Sequence, residues 1–93
     1  MSMNFFQISM NLATDSSINP DEAWADKQLI VASSHEMARK LADAREKGRH
    51  GWHDPNVCSI DYLYELRDKA LKDNDHVSVM NYTAMIAMRE SVQ

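Results

Sequence analysis

From about residue 20 onward, apolar residues recur along this chain of 93 residues with the spacing of α-helices. The first helical stripe consists of Ile30, Met37, Leu41 and Ala44. A second segment carries Leu63, Leu66 and Ala70 on one face and charged residues on its others. A third segment, over about 76–91, is apolar nearly all round, which predicts burial on more than one side. The pattern therefore predicts a small all-α protein.

The first helix has a clear start but two alternative continuations. Asn19 is the predicted N-cap, Pro20 suits the first helical position, and the two carboxylates that follow face the positive end of the helix. Ser33 and Glu36 form a second capping box further along. Either the helix breaks at this box, or one long helix continues to about Lys47.

The second and third segments are predicted to form an α-hairpin over about 59–91. Ser59 is the predicted cap of its first helix, and the polar residues 73–75 are the predicted turn. The loop before the hairpin, residues 48–58, holds both glycines and the only cysteine of the chain. We expect Trp52 in this loop to dock on the hairpin and fix the angle of the first helix.

Residues 1–18 are predicted to be an N-terminal arm, separate from a single helical domain over residues 19–93. In the arm, Phe6, Ile8, Met10 and Leu12 alternate with polar residues, as in a half-buried strand. The rest of the chain offers no strand to pair with it. The arm therefore either pairs with another chain or lies, helical or extended, against the helices.

Composition narrows the functional classes. The chain is 44% hydrophobic and 26% charged, as is typical of globular proteins, and its net charge of −4 gives no general nucleic-acid footprint. One cysteine cannot form an internal disulfide, which fits a reducing compartment. We see neither a signal peptide nor an apolar run near the roughly 18 residues of a membrane span. We therefore expect a cytoplasmic protein with no membrane contact.

A distinctive pattern of residues runs from the loop into the hairpin. In the loop it consists of Ala44-Arg45, Gly48-Arg49, Gly51-Trp52-His53-Asp54 and Cys58-Ser59. In the hairpin it consists of Leu63, Leu66, Asn74-Asp75, Val77-Ser78-Val79-Met80-Asn81-Tyr82 and Met85-Ile86. Over residues 44–89 this pattern resembles a segment of small accessory proteins of tailed bacteriophages and enterobacterial prophages.

The chain departs from that family near the predicted turn. Asn74 stands where the family has glycine, His76 where it has proline, and Ser78 where it has aspartate. Asn74 can still adopt the left-handed conformation that a turn requires. The family has no assigned reaction. The resemblance therefore implies a phage origin and expression in the cytoplasm of a bacterial host, and it carries over no catalytic residue.

We expect a non-enzymatic protein that binds and modulates a host factor, such as a defence, nuclease or transcription component. The predicted contact residues are Arg49, His50, Trp52, His53, Met80, Met85 and Met88. Tryptophan and arginine are frequent interface anchors, and methionine adapts to irregular contacts. Since the apolar faces exceed what so small a monomer can bury, we also expect a homo-oligomer. We expect no metal and no cofactor.

Two alternatives would make the chain a metal-binding protein. Asp43-x-x-Glu46 and Glu65-x-x-Asp68 resemble the magnesium-binding acids of MazG-type all-α nucleoside triphosphate pyrophosphohydrolases. Neighbouring arginines and lysines favour an ion-paired helix face instead. The second alternative is a zinc site at His50, His53 and Cys58, completed by Asp54 or His35. A single cysteine makes this motif weak.

Two further alternatives use the same loop. Cys58 with His53 or His50 would form a nucleophilic dyad, although a cysteine just before a helix cap is more often a small apolar residue. A nucleic-acid contact is the other alternative. It would use Trp52 and the basic residues Arg39, Lys40, Arg45, Lys47, Arg49, His50 and His53. The acidic net charge argues against it.

Overall fold

The computed structural model describes residues 21–92, and within this range it is all-α, as the sequence predicts. It has helix α1 at Glu22–Glu46, helix α2 at Ile60–Lys72 and helix α3 at His76–Ser91. The predicted arm, residues 1–18, and Asn19 lie outside the described residues. The chain divides into two compact units, Met1–Ala38 and Arg39–Gln93.

In the first unit, the described residues belong to helix α1. The cap of the helix is Asp21, because its Oδ1 accepts a hydrogen bond from the backbone N–H of Trp24 at 2.8 Å. The predicted cap, Asn19, comes two residues earlier. The helix passes Ser33 and Glu36 without a break, so the single long helix is the correct alternative. Its central part exposes Leu29, Ile30 and Val31, which are 45%, 64% and 56% accessible.

The second unit begins with the last turns of helix α1. Gly48 has φ +84°, a conformation that glycine adopts without strain. The N–H of Gly48 donates to the carbonyl of Arg45 at 3.0 Å, and the N–H of Arg49 donates to that of Ala44 at 3.0 Å. This pair of bonds is the Schellman motif, which satisfies carbonyls that the end of a helix would otherwise leave free.

Helix α2 begins and ends on side chains that the sequence predicts. Ser59 Oγ accepts from the N–H of Tyr62 at 3.1 Å, so Ser59 is the N-cap. At the other end Asn74 has φ +55°, and the N–H of Asp75 donates to the carbonyl of Ala70 at 2.9 Å. Asparagine tolerates this left-handed conformation better than most residues. Helix α2 therefore ends in the same motif as helix α1, with Asn74 in the position of Gly48.

Helix α3 packs against helix α2, and this hairpin holds the core. Leu63, Ala70 and Ile86 are the buried apolar residues among those described, at 1%, 6% and 3% exposure. Met88 is 61% exposed in the single chain, so burial of helix α3 on more than one side, which the sequence analysis expects from a contact with another subunit or a partner, stays a prediction. The buried residues of helix α3 besides Ile86 are instead polar, Asn81 and Arg89. Within the hairpin, helix α2 covers only one face of α3.

Candidate functional site

The second unit contains an open cleft of about 950 Å³. It lies among the last turns of helix α1, the loop of residues 48–58, and the facing sides of helices α2 and α3. Its apolar lining comprises Leu41, Ala44, Trp52, Leu63, Leu66, Tyr82 and Met85. Exposed basic and acidic side chains also line it, among them Arg45, Arg49, Asp43 and Asp73. An open cleft with apolar walls and a charged edge suits a macromolecular partner better than a small molecule, which proteins usually enclose.

The loop follows a compact path because two residues fix its backbone. Asp54 accepts three hydrogen bonds, from the N–H of Asn56 to its side chain at 2.8 Å and from the N–H groups of Val57 and Cys58 to its carbonyl at 3.0 and 2.9 Å. Gly51 has φ +84°, and a Cβ at this position would overlap Cγ1 of Val57. Only glycine fits here without a shift of the loop.

Arg89 ties the loop to helix α3. Its Nη1 donates to the carbonyl of Trp52 at 2.8 Å and to the carbonyl of Cys58 at 2.9 Å. Arg89 is only 9% exposed, so these hydrogen bonds lie largely out of water. Hydrogen bonds from a charged donor are stronger than neutral ones. One buried side chain thus fixes both ends of the segment that carries Trp52 and His53 into the cleft.

Trp52 itself is only half-buried. Its ring meets the ring of His53 edge-on, with the centroids 5.8 Å apart. The hydrogen bond that joins Trp52 to the hairpin comes from its carbonyl oxygen, not from its ring. Trp52 lines the cleft, and docking of its ring on the hairpin stays a prediction.

Three ion pairs neutralise part of the charge around the cleft. Arg39 pairs with Asp43 at 3.5 Å, Lys40 with Asp75 at 3.0 Å, and Lys69 with Asp73 at 2.8 Å. Three other cations that line the cleft have no ion-pair partner among residues 21–92, and these are Arg45, Lys47 and Arg49. We call these three residues the basic rim. Six lysines and arginines and three aspartates therefore line the cleft, so its lining has a net positive charge.

Asp75 joins the cleft to the start of helix α3. Its carboxylate accepts hydrogen bonds from Ser78, at 3.2 Å from the N–H and 2.7 Å from the hydroxyl, and from Lys40 Nζ at 3.1 Å. Burial raises the pKa of Asp75, but the hydrogen bonds from Ser78 and Lys40 and the charge of Lys40 outweigh it, so the pKa lies below its ordinary value. The ionised form of Asp75 is thereby stabilised.

Five of the seven predicted contact residues line this cleft, and these are Arg49, His50, Trp52, His53 and Met85. The other two, Met80 and Met88, are not among the lining residues. Met80 is half-buried and Met88 is exposed. The structure thus gathers the loop residues and one methionine into a single surface.

The clusters that the metal-binding alternatives require are not formed in the described part of the chain. Within residues 21–92, no three histidine, cysteine or acidic side chains lie together so that they could hold a metal ion. This applies both to Asp43, Glu46, Glu65 and Asp68 and to the histidines near Cys58. Cys58 is half-buried, and its Sγ lies 3.8 Å from the carbonyl oxygen of Ser59.

The sequence analysis did not identify Arg89. Its hydrogen-bond partners, Cys58 and Trp52, lie 31 and 37 positions earlier in the chain. A signal was nevertheless present in the sequence. Arg89 is the only lysine or arginine of helix α3, and it follows the buried Ile86 by three residues, which places both on neighbouring parts of one face. A lone arginine at a core-facing position is expected to seek carbonyl or carboxylate acceptors.

Within residues 21–92, no helix combines the length and the apolar character that a membrane crossing needs. The chain matches no known family model, and neither the curated proteins nor the solved structures include a significant match to it.

Proposed function

We propose that this chain is a non-enzymatic interaction protein of phage or prophage origin. It acts in the cytoplasm of the bacterial host by occupying a surface of a host protein, such as a defence, nuclease or transcription component. The phage origin is supported by the resemblance of residues 44–89. The binding role is supported by one structural observation above all, the open cleft with apolar walls and a basic rim whose cations form no ion pair among residues 21–92.

The composition of the cleft favours a protein partner. Trp52, Tyr82 and Met85 supply broad, adaptable apolar contact area, and Arg49 adds a cation at the edge. Aromatic residues, methionine and arginine are the types enriched at protein interfaces. A partner with an apolar patch flanked by carboxylates would match both features of the surface.

Nucleic acid suits this surface less well. Asp43, Asp73 and Asp75 also line the cleft and would face a phosphate backbone. Each of these carboxylates is paired with a cation, so those cations are not free to contact phosphates. A polyanion needs a continuous positive track, whereas the cleft offers only one positive edge.

The test is affinity capture of host proteins from a bacterial lysate on the tagged chain, identified by mass spectrometry. We expect one host protein at near-stoichiometric yield. The variant Arg49→Glu should lose this protein, because it reverses a charge at the edge of the cleft. The matched control is Lys72→Glu, since Lys72 is exposed and does not line the cleft. Equal capture by both variants, or capture of no host protein, would contradict the proposal.

A further inference from the structure

The charges of this chain are divided unevenly between its two units. Residues 1–38 contain one lysine and five acidic residues, whereas residues 39–93 contain nine lysines and arginines and nine acidic residues. The net charge of −4 therefore comes entirely from the first 38 residues. In the second unit, where the charges balance overall, the three cations of the basic rim line the cleft and form no ion pair among residues 21–92. An acidic segment and a basic edge thus occur in one chain.

The acidic segment is residues 1–38, of which the structure describes residues 21–38. This described part also carries exposed apolar side chains that the cleft would accept. Helix α1 carries Asp21, Glu22 and Asp26 near its start. A few residues later it exposes Leu29, Ile30 and Val31. None of the residues of helix α1 is buried. Contacts with the rest of residues 21–92 leave no residue of this 25-residue helix buried, whereas most helices gain their stability from packing of one face.

We propose that the cleft of each chain binds residues 21–38 of a second copy. In a twofold pair the contact is reciprocal, because each copy offers its acidic helix segment and receives that of the other. The acids near the start of helix α1 would meet the basic rim, and the exposed apolar residues would cover the walls of the cleft. The inference builds on the proposed function, since it takes the cleft to be a protein-binding surface. The second copy would then compete with the host protein for that surface.

The first measurement is the mass of the full chain by light scattering over a range of concentrations, at low and at high salt. We expect a species of twice the chain mass of 10.7 kDa at low salt. It should dissociate at high salt, where attraction between exposed charges is screened. A monomer at every concentration would overturn the inference.

A charge swap tests the pairing itself. The first variant, Glu22→Lys with Asp26→Lys, reverses the acidic segment, and the second, Arg45→Glu with Arg49→Glu, reverses the rim. Each variant alone places like charges opposite each other, so we expect its dimer to weaken by about tenfold or more. Mixed together, the two variants should form a heterodimer. In one of its two contacts both partners carry the original charges, and in the other both carry reversed charges, so opposite charges meet in each. Lys72→Glu is the control and should dimerise normally.

Helicity by circular dichroism shows whether each variant is folded. Two folded variants that fail to pair on mixing, or that each dimerise like the original chain, would overturn the inference. The experiments also separate this inference from the proposed function. If the chain is monomeric but captures a host protein in a way that depends on Arg49, the proposed function stands and the dimer is excluded. If the two variants form a heterodimer only when mixed and the chain captures no host protein, the dimer stands and the proposed function is excluded.

Discussion

The loop and the turn of the second unit both follow a helix that ends in the same backbone motif, but they are held in different ways. Gly48 at the end of helix α1 and Asn74 at the end of helix α2 both have positive φ, +84° and +55°. In each case the following N–H group bonds back to a carbonyl five residues earlier. The chain leaves both helices in the same manner, so the difference lies in what fixes the backbone afterwards.

The loop, residues 48–58, is fixed from a distance by a buried cation. Arg89 donates to two neutral carbonyl oxygens and is 9% exposed. The turn, residues 73–75, is fixed by an ion pair at the surface, in which the side chains of Lys40 and Asp75 are 40% and 34% exposed. The buried contact should be worth several times more than the exposed one, and it should be much less sensitive to pH and salt.

The largest effect is expected at Arg89. The substitution Arg89→Met keeps an unbranched side chain but leaves the carbonyls of Trp52 and Cys58 without their donor. We expect a loss of about 2–4 kcal/mol in the free energy of unfolding, a large part of the stability of so small a protein. Urea unfolding followed by circular dichroism measures it. The fluorescence of Trp52, in a Trp24→Phe background, should change as the loop loosens.

Two controls separate the hydrogen bonds of Arg89 from its charge. Arg89→Lys keeps the charge but replaces the planar guanidinium with a single ammonium group, so about half of the loss should remain. Lys72→Met removes an exposed cation and should change the unfolding free energy by less than about 0.5 kcal/mol. If Arg89→Met were as mild as Lys72→Met, the loop would not depend on Arg89.

The second effect distinguishes the two glycines of the loop. Gly51→Ala places a methyl group against Val57 at a positive φ, whereas at Gly48 the same methyl group meets no atom within 4 Å. Both variants carry the conformational cost of about 1–2 kcal/mol. Gly51→Ala should lose a further 1–3 kcal/mol, roughly, from overpacking. The midpoints of thermal unfolding of the two variants, measured side by side, report the difference.

The double variant Gly51→Ala with Val57→Ala removes Cγ1 of Val57, the atom with the largest overlap, but keeps Cβ of residue 57 and the strained backbone. Its stability should recover part of the way toward that of Gly48→Ala, because Cβ of residue 57 still lies 2.9 Å from the added methyl group, while Val57 is 55% exposed and contributes little by itself. A double variant no more stable than Gly51→Ala would show that the backbone conformation of the loop, and not contact with Val57, disfavours a side chain at residue 51.

Local signals in the sequence were sufficient to predict most of the fold. Ser59 as the cap of helix α2, Asn74 as a left-handed residue and the bounds of helix α3 are all confirmed, because each depends on residues within one turn of the chain. The cap of helix α1 was misplaced by two residues. Asparagine and aspartate are equally good caps, and both were present at that helix start.

The site was predicted less completely, because it depends on contacts across the chain. Composition alone pointed to the loop as the place for Trp52 and Arg49, and both line the cleft. The burial of Arg89 was missed because an apolar pattern says which face is covered, not which polar group is enclosed with it.

The smallest effect concerns the turn, where pH is the sharpest probe. The pKa of Asp75 is lowered in the folded chain, so its contribution is present above its ordinary value of 3.8 and is lost as pH falls through the folded pKa. Asp75→Asn keeps a good cap for helix α3 but removes the charge that meets Lys40. We expect a loss of about 0.5 kcal/mol near pH 7 and none at a pH below the folded pKa, where Asp75 is protonated in both states.

The control for Asp75 lies two residues away. Asp73 also forms an ion pair, with Lys69, but both side chains are more than half exposed. Asp73→Asn should therefore leave stability unchanged within error at every pH. Urea unfolding of both variants at a series of pH values compares the two pairs directly. If the difference between Asp75→Asn and the original chain did not shrink on acidification, the ion pair with Lys40 would not be what holds the turn. The turn would then not be fixed by a surface charge, and its contrast with the loop, which a buried cation fixes, would no longer hold.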